Sequence, residues 1–500
     1  MQRSAGILLH VTSVPGGHGI GDLGPSACRW IDMLVEARIG WWQMLPLTAP
    51  GDGNSPYNGS SAFAGNPLLI SLDGLVEDGW LRRQDIPANK WPPGRVDFAR
   101  VARFKHERLA LAWERFNRGA DAKHRLELAA FRRRHSHWLE DYSLFSALQD
   151  MYHTPWNTWP KKLARRDSRT LEKARHDLAD AIDRHCFIQF IFYRQLAALR
   201  TYTKKKNVRF IGDMPIFVSY DSADVWAQPH LFQLDRSRNC KVVAGVPPDY
   251  FCVDGQLWGN PHYHWKAMAA DGFRWWINRA KTALKQVHLV RLDHFRGFEA
   301  YWAVPARSLT ARNGRWIKAL GAEFFKKLRH SLGGLPFIAE DLGLITPGVE
   351  KLRDDLHLPG MRVMQFAFGD SPDNPFLPHN YSRNGVAYTG THDNDTTIGW
   401  YRHLSVAQRR FLHQYAPAAR HDVADELIRL AWGSVVDLAI APLQDVLGLD
   451  SRARMNTPGV ATGNWTWRAT ERQLRHGVLN RIAELTRIYS RQTVATGVSA

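Results

Sequence analysis

Residues 287–293 read Val-His-Leu-Val-Arg-Leu-Asp, a short apolar run that ends on a charged, polar edge. A run of this length, bounded by polar residues, is what a strand buried on both faces looks like. Seven further runs share the pattern: residues 6–11 (GILLHV), 41–45 (WWQML), 208–213 (VRFIGD), 335–340 (LPFIAE), 361–366 (MRVMQF), 386–391 (VAYTGT) and 435–440 (VVDLAI). Helical patterns fill gaps between them at residues 26–38, 187–206, 273–285, 316–331 and 422–432. Strands that alternate with helices, with no obvious hairpin, predict a parallel α/β fold. Eight such units predict a closed (β/α)₈ TIM barrel, which needs only about 250 residues.

The chain has 500 residues, so the surplus must go somewhere. It is concentrated in two gaps, with large insertions expected in the βα loops after strands 2 and 3. The expected organisation is one discontinuous catalytic barrel over 1–500. A helix-rich, basic insertion subdomain spans 50–207 and a second subdomain spans 214–286. Insertions in βα loops lie on the face where barrel active sites form.

Composition narrows the classes. Residues are 44% hydrophobic, ordinary for a globular protein with a large core. Twenty Trp exceed ordinary usage, and aromatic rings in a polar cleft make platforms for flat, CH-rich ligands. The net charge of +18 invites a nucleic-acid reading, but the basic residues are dispersed and no recognition motif accompanies them. No nucleic-acid partner is expected, and the charge reads as a solvated cationic surface. The four cysteines, Cys28, Cys186, Cys240 and Cys252, form no C-x-x-C pair. No apolar run reaches membrane-spanning length, and the N-terminus lacks a signal-peptide pattern. A cytoplasmic location without membrane association is the expectation; the oligomeric state is not legible.

Gly19-Ile20-Gly21-Asp22-Leu23-Gly24 matches the G-x-G-x-x-G of dinucleotide sites, and it stands between a strand and a helix. The acid expected at the end of the next strand is missing, because Pro46-Leu47-Thr48 stands there. The competing reading is a loop that needs positive φ and close helix packing. No cofactor is expected.

Three strand ends carry acids. Along the strand of 287–293, Arg291 and Asp293 point to one side, since side chains alternate. A guanidinium there holds a carboxylate ionised and oriented, as a nucleophile at an anomeric carbon requires. A structural ion pair is the alternative. Glu340 ends the fifth strand, where desolvation raises a carboxyl pKa and suits it to acid/base work. Its neighbour Asp341 should face the other way. After the seventh strand comes Gly390-Thr391-His392-Asp393-Asn394-Asp395, a polar cluster with no use in a core. There His392 can donate to a sugar hydroxyl, and Asp393 can stabilise an oxocarbenium-like transition state. A metal site is the rival, since His and Asp are also ligands. The chain has no H-E-x-x-H, and the H-x-H pair of His262 and His264 lies in a loop, so no metal is expected. Together the acids point to glycosidic-bond chemistry, because retaining glycosidases set two carboxyls about 5–5.5 Å apart.

The strand ends around Asp213, Arg291–Asp293, Glu340 and His392–Asp393 resemble the sequence regions of the α-amylase clan. More narrowly the chain resembles the amylomaltases, a family of 4-α-glucanotransferases. The likeness runs through Ser55-Pro56-Tyr57, Val246-Pro247-Pro248-Asp249-Tyr250-Phe251, Gly255-Gln256-Leu257-Trp258-Gly259-Asn260-Pro261 and Arg454-Met455-Asn456-Thr457-Pro458-Gly459. It implies transfer of an α-1,4-glucan segment to the 4-hydroxyl of another glucan or glucose, through a covalent intermediate on Asp293. Glu340 would be the acid/base and Asp393 the transition-state stabiliser. Arg291, Asp213, His392 and Tyr57 would bind the sugar at the cleavage point. A loop over 247–260, with Asp249, Tyr250, Phe251 and Trp258, would grip the acceptor. The implied partners are α-1,4-glucans and maltooligosaccharides, and the implied architecture has no separate C-terminal β-domain. The acids alone leave transfer, hydrolysis and binding without turnover open; a loop that excludes water favours transfer.

Overall fold

The computed structural model describes residues 2–248, 253–369 and 371–492. Its centre is a closed barrel of eight strands: β1 Ser4–Leu8, β2 Trp41–Gln43, β3 Arg209–Pro215, β4 Leu289–Asp293, β5 Phe337–Ala339, β6 Gly360–Val363, β7 Gly385–Tyr388 and β8 Leu438–Pro442. Every neighbouring pair is parallel, and β8 returns to β1 with Gly6 opposite Ile440. All eight anticipated runs are barrel strands, with ends moved by a few residues. These strands are short and apolar because helices cover them on the outside and side chains fill them on the inside.

The register sets the functional side chains at one level. Asp213 on β3 lies opposite Arg291 on β4, and Leu292 lies opposite Ala339 on β5. The carboxyl ends of neighbouring strands therefore project their last side chains into a common mouth.

The seam between β1 and β8 is latched by arginines. Arg491 has no exposed surface, and its guanidinium donates to the carbonyls of Ser4 (3.0 Å), Trp432 (2.7 Å), Ser434 (3.0 Å) and Val436 (3.1 Å). Arg3 adds bonds to the carbonyls of Trp432, Ser434 and Tyr489. Backbone acceptors that the strand ends leave over are satisfied in this way.

Between β2 and β3 the chain is mostly helical, with Phe98–Gly119, Ala122–Arg134, Leu139–Tyr152, Ser168–Asp177 and Ala179–Lys205. Asp97, Asp121 and Asp167 cap three of these helices by accepting backbone N–H bonds, so each start is written in the sequence. Lys105 is fully buried in this layer and donates to the carbonyls of Leu68 (2.7 Å) and Ile70 (2.8 Å), with Asp22 at 3.4 Å.

That contact absorbs the Gly-rich segment. Gly19 has φ +80°, and a Cβ on Gly21 would lie 1.9 Å from the Val11 carbonyl. The glycines serve tight backbone packing before the helix Pro25–Glu36, and Asp22 caps the turn through the Gly24 N–H.

One element departs from strand–helix alternation. Gln256–Pro261, Val242–Val246, Ala300–Pro305 and Arg315–Lys318 form a four-stranded antiparallel sheet, in that order. Half of it comes from the β3–β4 connection and half from the β4–β5 connection. The helix anticipated at 316–331 is corrected accordingly: Arg315–Lys318 is a strand, and the helix is Gly321–Leu332. Arg-Trp-Ile-Lys alternates too briefly to be told from a helix turn, and pairing of Trp316 with Trp302 decides it. Among the described residues no strand follows β8.

Candidate active site

The mouth of the barrel is built around one guanidinium. Arg291 is buried and donates through Nη1 to Asp213 Oδ1 (3.0 Å) and Oδ2 (2.8 Å) and to Asp293 Oδ1 (2.9 Å). Its Nε meets the Met361 sulfur on β6 at 3.4 Å. One cation thus bridges β3 and β4, and the alternation that put Arg291 and Asp293 on one side is realised. Asp213 has no exposed side-chain surface, whereas Asp293 is 27% exposed and faces the cleft. Burial nevertheless pushes the Asp293 carboxyl up to about 6 against the pull of Arg291, which is shared, while Asp213 adds repulsion. Arg291 orients Asp293 and limits this rise, but does not hold it in the ordinary carboxylate range.

Glu340 follows β5 directly. Its Oε2 accepts from the backbone N–H of His294 at 2.6 Å, and its Oε1 accepts from the Leu342 N–H at 3.0 Å. His294 presents that N–H because it has left-handed geometry, φ +53°. Burial pushes Glu340 up to about 8, with Arg291 opposing and Asp293 reinforcing the shift. The group is a carboxylic acid at neutral pH, which a proton donor must be. Asp341 points the other way, onto Arg353 (2.5 Å) and the Met361 N–H (2.7 Å), as alternation requires.

Asp393 stands in the loop after β7. Its Oδ2 is 3.2 Å from His392 Nε2, and its Oδ1 accepts from the Asn456 amide at 2.6 Å. Burial works against its charge, but His392 and the Asn456 bond outweigh it and hold the carboxyl well below the usual range. Between about 6 and about 8 Glu340 is therefore protonated while Asp293 and Asp393 are ionised, the condition for dividing acid from nucleophile and charge stabiliser.

Aromatic walls flank these groups. Tyr57 stacks on His392 with ring centres 5.1 Å apart, and its hydroxyl donates to Asp213 at 2.9 Å. Trp465 closes on the same pair at 5.8 and 6.0 Å. On the far side Trp258, on the edge strand Gln256–Pro261 of the antiparallel sheet, meets the His294 ring edge-on at 4.8 Å. It keeps 38% of its surface exposed. Tyr57, Asp213, Trp258, Arg291, Asp293, Glu340, His392 and Asp393 thus share one cleft. Asp249, Tyr250 and Phe251 lie outside the described residues.

Other groups at the cleft are given no role in the reading of the sequence. His294 supplies the backbone bond to Glu340, Trp465 the aromatic closure, and Asn456 and Arg454 grip the β7 loop. Asn456 and Arg454 fell within a family-like run but carried no acid to mark them.

The metal rival has separate uses for its residues: His262 Nε2 meets the Trp302 carbonyl at 3.2 Å, and His264 caps a helix through the Ala267 N–H. Among the described residues, no group of three or more His, Cys, Asp or Glu is arranged to hold a metal ion. Nor is any described helix long and apolar enough to cross a membrane.

Comparison with known proteins points to one family. A family model described as 4-alpha-glucanotransferase matches residues 9–473. The sequence is 48% identical over 498 residues to the 4-alpha-glucanotransferase of Thermus thermophilus, covering 97% of this chain and 99% of that protein. It is 45% identical over 503 residues to the 4-alpha-glucanotransferase of Synechocystis sp., covering 99% of each. The solved structure of amylomaltase from Streptococcus agalactiae in complex with acarbose matches with a TM-score of 0.95 at 36% identity, over 98% of this chain and 100% of that one.

Proposed function

The chain belongs to the 4-alpha-glucanotransferase family, and on that premise we propose how its cleft moves a glucan segment from one chain to another. The enzyme is a 4-alpha-glucanotransferase, a transferase acting on glucans. The observation that carries the residue roles is the split among its acids: Glu340 is pushed up to about 8 beside Asp293, while Asp393 is held ionised.

In the first displacement Asp293 Oδ attacks the anomeric carbon of an α-1,4-glucan. The bond from that carbon to the leaving O4 breaks, and Glu340 delivers its proton to O4. Neighbouring strands lie about 4.8 Å apart. Acids at the ends of β4 and β5 therefore suit the about 5–5.5 Å that separates nucleophile and acid in retaining enzymes. Asp393 lies against the positive charge that develops on the ring, and Arg291 and Asp213 hold the nucleophile in line. Tyr57 and His392 offer a stacked face and a hydrogen-bond donor to the same sugar.

In the second displacement the 4-hydroxyl of an acceptor glucan attacks the same carbon. Glu340 takes its proton, and the ester to Asp293 breaks. Water can make the same attack, so an acceptor site decides the outcome. Trp258 is the described part of that site; Asp249, Tyr250 and Phe251 complete it in this reading. The natural partners are α-1,4-glucans and maltooligosaccharides, and acarbose bound to the Streptococcus agalactiae protein supports a glucan-like ligand.

The same reading treats residues 1–500 as one discontinuous catalytic barrel, with 50–207 and 214–286 as insertion subdomains and a cytoplasmic site of action. Incubation with maltotriose tests the reaction: glucose and a ladder of longer maltooligosaccharides are expected. Glucose and maltose alone would overturn it.

A further inference from the structure

The segment Arg454-Met455-Asn456 lies beyond the last barrel strand, yet it packs against the loop that carries Asp393, and the reaction above leaves it unused. Arg454 Nη2 donates to the Asp393 carbonyl at 2.7 Å, and its Nε donates to the Asn456 carbonyl at 2.7 Å. The Asn456 N–H donates to the His392 carbonyl at 3.1 Å, while its side-chain amide donates to Asp393 Oδ1 at 2.6 Å. Met455 between them is buried, and its carbonyl accepts from the Trp465 N–H at 2.7 Å. The segment is therefore anchored on both sides before it reaches the carboxylate.

Asp393 has only two side-chain torsions, and its two oxygens are taken by different partners, His392 and Asn456. With one of them alone the carboxylate can swing about the remaining bond. With both, its plane is fixed relative to the reacting carbon. An amide suits the second place because it donates without adding charge and does not titrate.

We infer that Asn456 is a positioning residue for Asp393, whose amide fixes the orientation of the carboxylate that faces the developing charge. The inference rests on the reading of Asp393 as the transition-state stabiliser. A fixed dipole in place before the reaction needs no reorganisation when the charge appears, so its effect falls on turnover rather than on binding. The groups facing Asp393 are His392 from its own loop, Arg291 and Asp293 from β4, and Tyr57 from the loop after β2, with Arg454 at its main chain. Removing the neutral donor raises the Asp393 carboxyl from far below the ordinary range, so it stays ionised and what it loses is its fixed orientation.

The test compares Asn456→Ala, the isosteric Asn456→Asp and Asp393→Asn with the unaltered enzyme, measuring kcat, KM and the kcat–pH profile for maltotriose. Asn456→Ala is expected to lower kcat about 10- to 100-fold with KM within about threefold. Its acid limb, which belongs to Asp293, should stay in place, because Asp393 remains ionised far below it. Asn456→Asp, which sets two carboxylates against each other, should lower kcat further, again with KM little changed. If the alanine variant does not fold, the aspartate variant carries the comparison alone. Unchanged kcat, or a loss carried by KM alone, overturns the inference provided Asp393→Asn is inactive. Wild-type turnover in Asp393→Asn would instead remove the role of Asp393 itself.

Discussion

The backbone N–H of His294 donates to Oε2 of Glu340 across 2.6 Å, joining the residue next to Asp293 to the acid on the neighbouring strand. The spacing of the two reacting carboxyls is thereby set by main chain rather than by two flexible side chains. A further bond runs back, from the Glu340 N–H to the Leu292 carbonyl at 3.1 Å. Such a double stitch holds a site to the tolerance that displacement chemistry requires.

The activity should follow a bell in pH. Asp293 must lose its proton to attack, and burial places that loss at about 6. Glu340 must keep its proton to donate it, and burial places that loss at about 8. Below about 6 the nucleophile is protonated, and above about 8 the acid is spent, so kcat/KM should peak between them. The two groups interact, and the limbs belong to the pair. A profile flat from pH 5 to 9 would contradict this assignment.

Glu340→Gln should lower turnover by about 10²- to 10⁴-fold and remove the basic limb. With a donor carrying a good leaving group, the first displacement needs no proton while the second still needs a base. A glycosyl adduct should then accumulate on Asp293 and be visible by mass spectrometry. Its absence under those conditions would count against the covalent route.

Arg291→Met should leave Asp213 and Asp293 facing each other without their shared cation. Breaking one side of a buried pair costs about 3–5 kcal/mol, read from denaturant unfolding. The acid limb of kcat/KM should move up, because the attraction that favours ionised Asp293 is gone. Arg291→Lys should recover only part of both effects, since an ammonium supplies the charge but not the Nε contact to the Met361 sulfur that steadies it between the carboxylates.

Trp258→Ala should act on the acceptor. Loss of its stacking face is worth about 1–2 kcal/mol, or roughly tenfold in acceptor KM. The share of maltotriose that is hydrolysed should rise, measured as new reducing ends. An unchanged ratio of transfer to hydrolysis would remove Trp258 from the acceptor site.

Lys105→Met is expected to cost about 3–5 kcal/mol, because Asp22 and two buried carbonyls lose their donor. The effect belongs to the fold: thermal unfolding should move down while KM for maltotriose stays unchanged at low temperature.

The barrel was legible because each strand is a short apolar run ending on polar residues, and eight such runs admit few arrangements. Arg291 and Asp293 were legible because alternation puts them on one side; Glu340 and Asp341 because it parts them. The antiparallel sheet was not legible. Val242–Val246 and Gln256–Pro261 carry glycines and a proline that read as loop, and their partners come from beyond β4. Asn456 escaped for another reason: its function lies in where its amide points, and 63 residues separate it from Asp393. Nor did the sequence indicate that burial would outweigh the pull of Arg291, which is why Asp293 sits at about 6 rather than in the ordinary carboxylate range.

The arginine latch at the barrel seam carries a consequence for how the enzyme is made. Arg491 grips carbonyls at Ser4 and around β8, so the ring cannot be locked until residue 491 has left the ribosome. Until then β1 waits through most of translation with one edge unpaired, a sticky template for other chains. Slow synthesis or a stall late in the message should therefore harm yield far more than the same pause within the helical segment, whose contacts are local.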